Sequence, residues 1–219
     1  IDYGPCAFMD RYSLATVFSS IDRQGRYAYG QQITIAHWNL SRLAEALVPL
    51  FSENEDESIA KAEETLNTFA GHVQQKWLSG MRRKLGLVTA EENDMSLTTS
   101  LLQLMEKNQT DYTNTFRALS NEKTLDQPLF KDADFLKWRK LWLAKKPDFA
   151  LMQTHNPAVI PRNHLVEKAL AAAVEKDDYS VIERLLAVLK NPYSEPVDAT
   201  EYASPPPEGG EAYKTFCGT

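Results

Sequence analysis

The sequence is poor in the residues that most often advertise chemistry. Its two cysteines, Cys6 and Cys217, stand near opposite ends of 219 residues and form no C-x-x-C pair, which excludes a zinc ribbon. The four histidines, His37, His72, His155 and His164, never fall three or four apart, so no helix presents two of them to one metal ion. The nine glycines, at positions 4, 25, 30, 71, 80, 86, 209, 210 and 218, write neither G-x-G-x-x-G nor G-x-x-x-x-G-K, so the chain carries no glycine-rich phosphate cradle of its own. G-x-S-x-G is also missing, and with it the usual hydrolase elbow. No stretch approaches the roughly 18 to 20 apolar residues of a membrane helix, which argues against a membrane-spanning role. With 24 basic against 30 acidic residues the net charge is -6, which argues against nucleic acid as a partner. What is left is one sizeable domain, or at most two small ones, whose partner is a small molecule or another protein.

What is present is helical periodicity. After a loop-rich opening with a short helix expected around 11 to 19, the apolar set Ile35, Trp38, Leu40, Leu43, Ala44 and Leu47 traces one helix face that Pro49 should end or kink. The acidic run from Glu53 to Glu57 suits a helix start, and the stripe through Ile59, Ala62, Leu66, Phe69, Val73, Trp77 and Met81 runs on to a stop at Gly86. Thr89-Ala90-Glu91-Glu92 has the form of a capping box for a helix reaching about Lys107. Thr110 or Asp111 can cap the next helix, Pro128 marks a break, and 132–145 predicts an aromatic-rich helix closed by Pro147. Asn156-Pro157 and Pro161 bound a turn before helices at 162–175 and 178–190. The expected class is all-α, with a helical body over 1–190. An extended tail over 191–219 holds Pro205-Pro206-Pro207 and Gly209-Gly210, with Tyr193, Tyr202, Tyr213 and Phe216 as grips on the body.

One short motif has a chemical form. Asp2-Tyr3-Gly4 offers an oxygen donor, an aromatic and a glycine, the pattern in which a kinase D-F-G aspartate holds the Mg²⁺ that bridges nucleotide phosphates. Taken alone it reads as an Asp capping a turn before Gly-Pro. It is joined by Gln24-Gly25-Arg26-Tyr27, by Trp38-Asn39-Leu40 with Arg42-Leu43-Ala44, and by Asp111-Tyr112-Thr113 with Thr115-Phe116-Arg117. Asn156-Pro157 with Arg162-Asn163, Asn191-Pro192-Tyr193-Ser194 and Cys217 complete the series. In these motifs, in this order over essentially the whole chain, the sequence resembles selenoprotein O and its bacterial relatives, kinase-like proteins that AMPylate other proteins.

The resemblance implies the C-terminal helical part of a protein-kinase-like fold with a family-specific helical extension. It implies ATP as substrate, Mg²⁺ (or Mn²⁺) as the ion, and transfer of AMP to hydroxyl side chains of protein substrates. Asp2 matches a metal-binding position that reaches the ATP phosphates through the ion. The family's glycine-rich loop, nucleotide-gripping Lys and Arg, catalytic Asp and metal-binding Asn lie before the D-Y-G-P motif. With no initiator Met and no leader-like segment ahead of Ile1, the start reads as truncated, so the catalytic Asp is expected upstream and this part alone is expected to be inactive. The family also implies a redox role for Cys217; Cys6 is a replacement for the family's usual partner cysteine, or both thiols are unpaired. Cys in place of selenocysteine leans towards a bacterial, cytoplasmic protein, the alternative being mitochondrial. A stand-alone helical interaction module without catalysis is the competing reading. The other polar candidates read as structure. They are His37 on a helix face, Asn39 and Arg42 tying that helix to the D-Y-G loop, Arg82-Arg83-Lys84 as a solvated helix end, Trp138 and Trp142 in the core, and Arg162-Asn163-His164 at a helix start.

Overall fold

The computed structural model describes residues 8–123, 125–195 and 199–207. Within them the fold is all-α: a 3₁₀ turn at Tyr29–Gln31 leads into α1 (Gln32–Phe51) and α2 (Glu55–Lys84), which pack against each other as a long hairpin. Asn54 caps α2 by accepting the Glu57 N–H, and Glu55, Asp56 and Glu57 in its first turn face the positive end of the helix dipole. Pro49 does not end α1. It lies in the last turn, where the one hydrogen bond it removes is cheap, and the helix runs two residues further to Phe51.

The principal core is built where the C-terminal half of α2 meets α3 (Asp94–Lys107), α4 (Tyr112–Ser120), α5 (Pro128–Lys131), α6 (Ala133–Ala144) and α7 (Phe149–His155). Leu97, Leu101 and Met105 recur at helical spacing and are buried, as are Phe135, Trp138 and Trp142 on α6. The two indoles stack with centroids 5.7 Å apart. Each also meets the demand of its buried N–H: Trp138 donates to the Leu97 carbonyl and Trp142 to the Leu85 carbonyl, both at 2.8 Å. A second, smaller core joins Val159, Leu165 and Ala169 with Leu185 and Tyr202, uniting α8 (Asn163–Lys176), α9 (Ser180–Leu189) and α10 (Ala199–Ala203). The short α10 lies within the stretch expected to be extended.

Three local expectations are corrected. Residues 11–19 form no helix, because their amides are drawn elsewhere: Tyr12 N–H donates to the Thr110 carbonyl at 2.9 Å and Leu14 N–H to the Glu106 carboxylate at 2.9 Å. The Thr89–Glu92 capping box does not form, and α3 starts at Asp94. The buried Asp94 carboxylate itself accepts the Glu91 N–H at 2.8 Å, so the turn is closed from inside. The cations closing α2 are not all solvated. Arg82 binds Asp94 at 2.7 Å, and Lys84 lies 4.7 Å from the centre of the Phe116 ring and 5.4 Å from that of Tyr112.

Candidate functional site

Asp2, Cys6 and Cys217 lie outside the described residues, so the site is built from the chain that follows the D-Y-G-P motif. Residues 8–12 pass between α4 and the start of α8 and are held there by five hydrogen bonds. Phe8 offers its N–H to Asn163 Oδ1 at 3.1 Å and accepts at its carbonyl from Asn163 Nδ2 at 3.0 Å. The Asp10 carboxylate takes Arg162 Nη1 at 2.5 Å, and the Asp10 carbonyl accepts the Tyr112 N–H at 2.7 Å. Tyr12 closes the series on the Thr110 carbonyl, with Arg11 and Asp111 paired in an antiparallel bridge. The Tyr12 ring then enters the core, stacked on Tyr112 at 5.7 Å and edge-on to Tyr29 at 6.0 Å.

Arg162 is the hub. It is 1% exposed, and besides Asp10 it binds both oxygens of Asp111, at 2.6 and 3.2 Å, and the Ala203 carbonyl at 2.9 Å. Burial alone would favour the neutral guanidine. The bonds to Asp111 and Asp10 outweigh it and hold Arg162 above its already high ordinary pKa. Asp111 has two tasks, since its Oδ1 also accepts the Asn114 N–H at 2.7 Å and caps α4. Burial pushes its carboxyl upward against the pull of Arg162. Three motifs far apart in the sequence, Asp111-Tyr112-Thr113, Arg162-Asn163 and the segment after D-Y-G-P, therefore meet at one place. Beside them His164 keeps its Nδ1 buried without a hydrogen-bond partner, and burial lowers its pKa.

An open cleft of about 950 Å³ lies along this segment, with Asp10, Arg11, Asp22, Asp111, Asp126 and Asn163 among the residues of its wall. Phe8 and Pro207, where the described chain begins and ends, line it too. Its carboxylates do not make a metal site: Asp10 and Asp111 are committed to Arg162. Among the described residues no group of three His, Cys, Asp or Glu side chains could hold an ion.

The other motifs fall into place as structure. Asp22 accepts the N–H groups of Arg26 and Tyr27 at 2.9 and 2.7 Å, shaping the turn in which Gly25 takes φ +68°. Arg26 lies over the Trp38 ring at 4.7 Å and Arg42 near it at 5.6 Å, while Arg42 pairs with Glu45 on its own helix. Asn39 is exposed, and the loop it was expected to hold is outside the described residues. His37 packs against Phe69 at 5.8 Å. Asn156 is fully buried and donates at 2.8 Å both to the Lys84 carbonyl and to Ser120 Oγ, while its own carbonyl accepts from Arg117. Asp10 was not singled out by sequence reasoning. Asp10 stands between Met9 and Arg11, eight positions after Asp2, and nothing local pointed to a partner 152 residues away.

A family profile described as "Protein adenylyltransferase SelO" matches residues 1–190. Curated relatives named "Protein nucleotidyltransferase YdiU" are similar over the whole chain. That of Bacillus cereus (strain ATCC 14579) is 49% identical and is covered over 46% of its own length. That of Geobacillus kaustophilus is 51% identical and covered over 47%, and that of Alkaliphilus metalliredigens 52% and 46%. The chain thus spans a little under half the length of the curated relatives it matches.

Proposed function

The chain belongs to the SelO family of protein adenylyltransferases, and from that premise we propose that it is the C-terminal helical part of an enzyme that transfers AMP from ATP to protein hydroxyls. A Ser, Thr or Tyr hydroxyl oxygen would bond to the α-phosphorus, the bond to the β-phosphate bridging oxygen would break, pyrophosphate would leave and the hydroxyl proton would go to a base. The observation that carries this reading is the family match over 1–190, a stretch that includes the D-Y-G-P motif.

Asp2 is the residue of this chain that would hold Mg²⁺ (or Mn²⁺), which supplies charge neutralisation on the phosphates. The catalytic Asp and the nucleotide-gripping groups are assigned to the part of the relatives that this chain does not span, so residues 1–219 alone are expected to be inactive. Cys217, with or without Cys6, is proposed as a redox-sensitive thiol, and the protein as cytoplasmic. Among the described residues no helix is long and apolar enough to cross a membrane.

The test is incubation of the polypeptide encoded by the complete reading frame with ATP labelled at the α-phosphate and a mixture of proteins. Label on protein that is lost with Asp2→Ala is the expected result. A wild-type polypeptide that transfers no label while folded overturns the reading. It then favours a non-catalytic interaction module, for which the exposed apolar side chains of the hairpin, Trp38, Leu43, Leu50 and Ile59, would be the contact face.

A further inference from the structure

We propose that α1 is an interior helix of the complete polypeptide, and that its outward apolar stripe receives an amphipathic α-helix from the part of the relatives' length that this chain does not span. The inference rests on the reading of the chain as the C-terminal part of a longer polypeptide and adds to it the face on which the two parts meet.

α1 runs for 20 residues without one buried side chain. Its Lys, Arg, Asp and Glu content is Arg42 and Glu45 alone, and these pair with each other. One face is answered by α2: His37 packs on Phe69, and Ser41, Ala44 and Val48 follow at steps of four, three and four, half-buried. A second stripe lies beside it. Ile33, Ala36, Leu40, Leu43, Leu47 and Leu50 recur at steps of three, four, three, four and three, the alternation by which one helix meets another along a seam. Four of the six stand open, Ile33 at 46%, Leu40 at 37%, Leu43 at 54% and Leu50 at 77% exposure. Single exposed leucines are ordinary, but a continuous row of them along a helix marks a contact surface.

The row is about 26 Å long at the helical rise, which suits a second helix laid along it. Two seams on one helix place it inside a bundle, with a neighbour on each side. Coverage points to the second neighbour: the chain accounts for 46 and 47% of two of the relatives, so more than half of such a protein is available to supply it. A segment of the same polypeptide acts at an effective concentration on the order of millimolar, which gives it the advantage over a second copy.

The test uses the complete polypeptide with Cys6→Ser and Cys217→Ser, carrying Leu43→Cys, Leu50→Cys or, as the open reference, Val174→Cys on α8, a position 84% exposed. N-ethylmaleimide is the probe, and each labelling rate is referred to that of the same thiol in urea. Leu43→Cys and Leu50→Cys should label at least about 10-fold more slowly than Val174→Cys, and the protection should persist on dilution. Rates equal to that of Val174→Cys overturn the inference. So does protection that disappears on dilution, which assigns the stripe to a second copy. If the cysteine variants fail to fold, hydroxyl-radical oxidation of the unsubstituted polypeptide decides in the same way, read at Leu43 and Leu50 against Tyr179, which is 56% exposed. Transfer of labelled AMP is scored alongside. Transfer with both thiols open removes this inference and leaves the enzyme reading intact, whereas protected thiols without transfer leave α1 interior and remove that reading.

Discussion

Gly86 and Asp148 meet backbone to backbone: the Asp148 N–H donates to the Gly86 carbonyl at 2.9 Å, and a Cβ built on Gly86 would stand 2.7 Å from the Asp148 nitrogen. Gly86 also holds φ +68°, the left-handed conformation that ends α2. Both constraints act on Gly86→Ala, and neither can relax by a side-chain rotation. The substitution is expected to cost roughly 2 to 4 kcal/mol, read as a shift in the urea midpoint with an unchanged slope.

Asp94 is a carboxylate buried under Arg82 and Lys145. Burial would raise its pKa, but the Glu91 N–H at 2.8 Å, Arg82 at 2.7 Å and Lys145 at 3.2 Å outweigh it and hold the group below its ordinary value. A carboxyl depressed in the folded state contributes stability above its unfolded pKa and loses it as pH falls through the folded value. Asp94→Asn is expected to cost about 1 to 3 kcal/mol at pH 7. The difference from wild type should close as the pH is lowered below 4, roughly the ordinary carboxylate value, when both are unfolded with urea over a pH series.

At Lys84 it is the charged form that the fold disfavours. Packed over Phe116 and Tyr112, its ammonium is pushed by burial from 10.5 to about 8. The unfolded chain then binds the extra proton between the two values, so the charged lysine costs stability below about 8 and that cost fades as pH rises. Wild type should gain on Lys84→Met by about 1 to 2 kcal/mol between pH 8 and 10, allowing for the partial solvent contact of the ammonium. Equal pH profiles for the two proteins in thermal unfolding would refute this.

Asp111 joins a helix cap to the buried Arg162. Asp111→Ala removes the acceptor of the Asn114 N–H and leaves the guanidinium with Asp10 as its one carboxylate, for an expected loss of roughly 3 to 5 kcal/mol. Asp111→Asn retains the cap oxygen and should lose clearly less. Circular dichroism melts of the pair separate the two contributions.

The sequence made the helices legible where a stripe is repeated over several turns. Leu97, Leu101 and Met105, and Phe135, Trp138 and Trp142, sit in the core as their spacing requires, and Gly86 and Asp111 end and begin helices as read. Local signals failed where a distant group outbid them. The Thr89–Glu92 box has the right letters, but Asp94, held by Arg82 and Lys145, closes that turn first. Residues 11–19 carry enough apolar character for a helix, yet Thr110 and Glu106 take their amides. The short helix Phe149–His155 escaped because Pro147 and Asn156-Pro157 bracket it closely, and its Asp148 cap gives the only local sign. The site was half legible. Arg162-Asn163 stood out as a helix start bonded to loops, whereas its partners Phe8 and Asp10 lie more than 150 residues earlier, beyond the reach of any periodicity.

That separation gives the clamp on Phe8 a place in time. The asparagine that holds it is made 155 residues later, and at about 5 to 20 residues per second that interval is roughly 8 to 30 s on the ribosome. Through it the stretch next to the D-Y-G-P motif has neither Asn163 nor Arg162 to bind, while α1 and α2 can already pair. The Ala203 carbonyl, which Arg162 and Asn114 both hold, arrives later still. The stretch beside the D-Y-G-P motif is thus made well before the side chains that hold it, and its clamps at Phe8 and Asp10 close only once α8 has been synthesised.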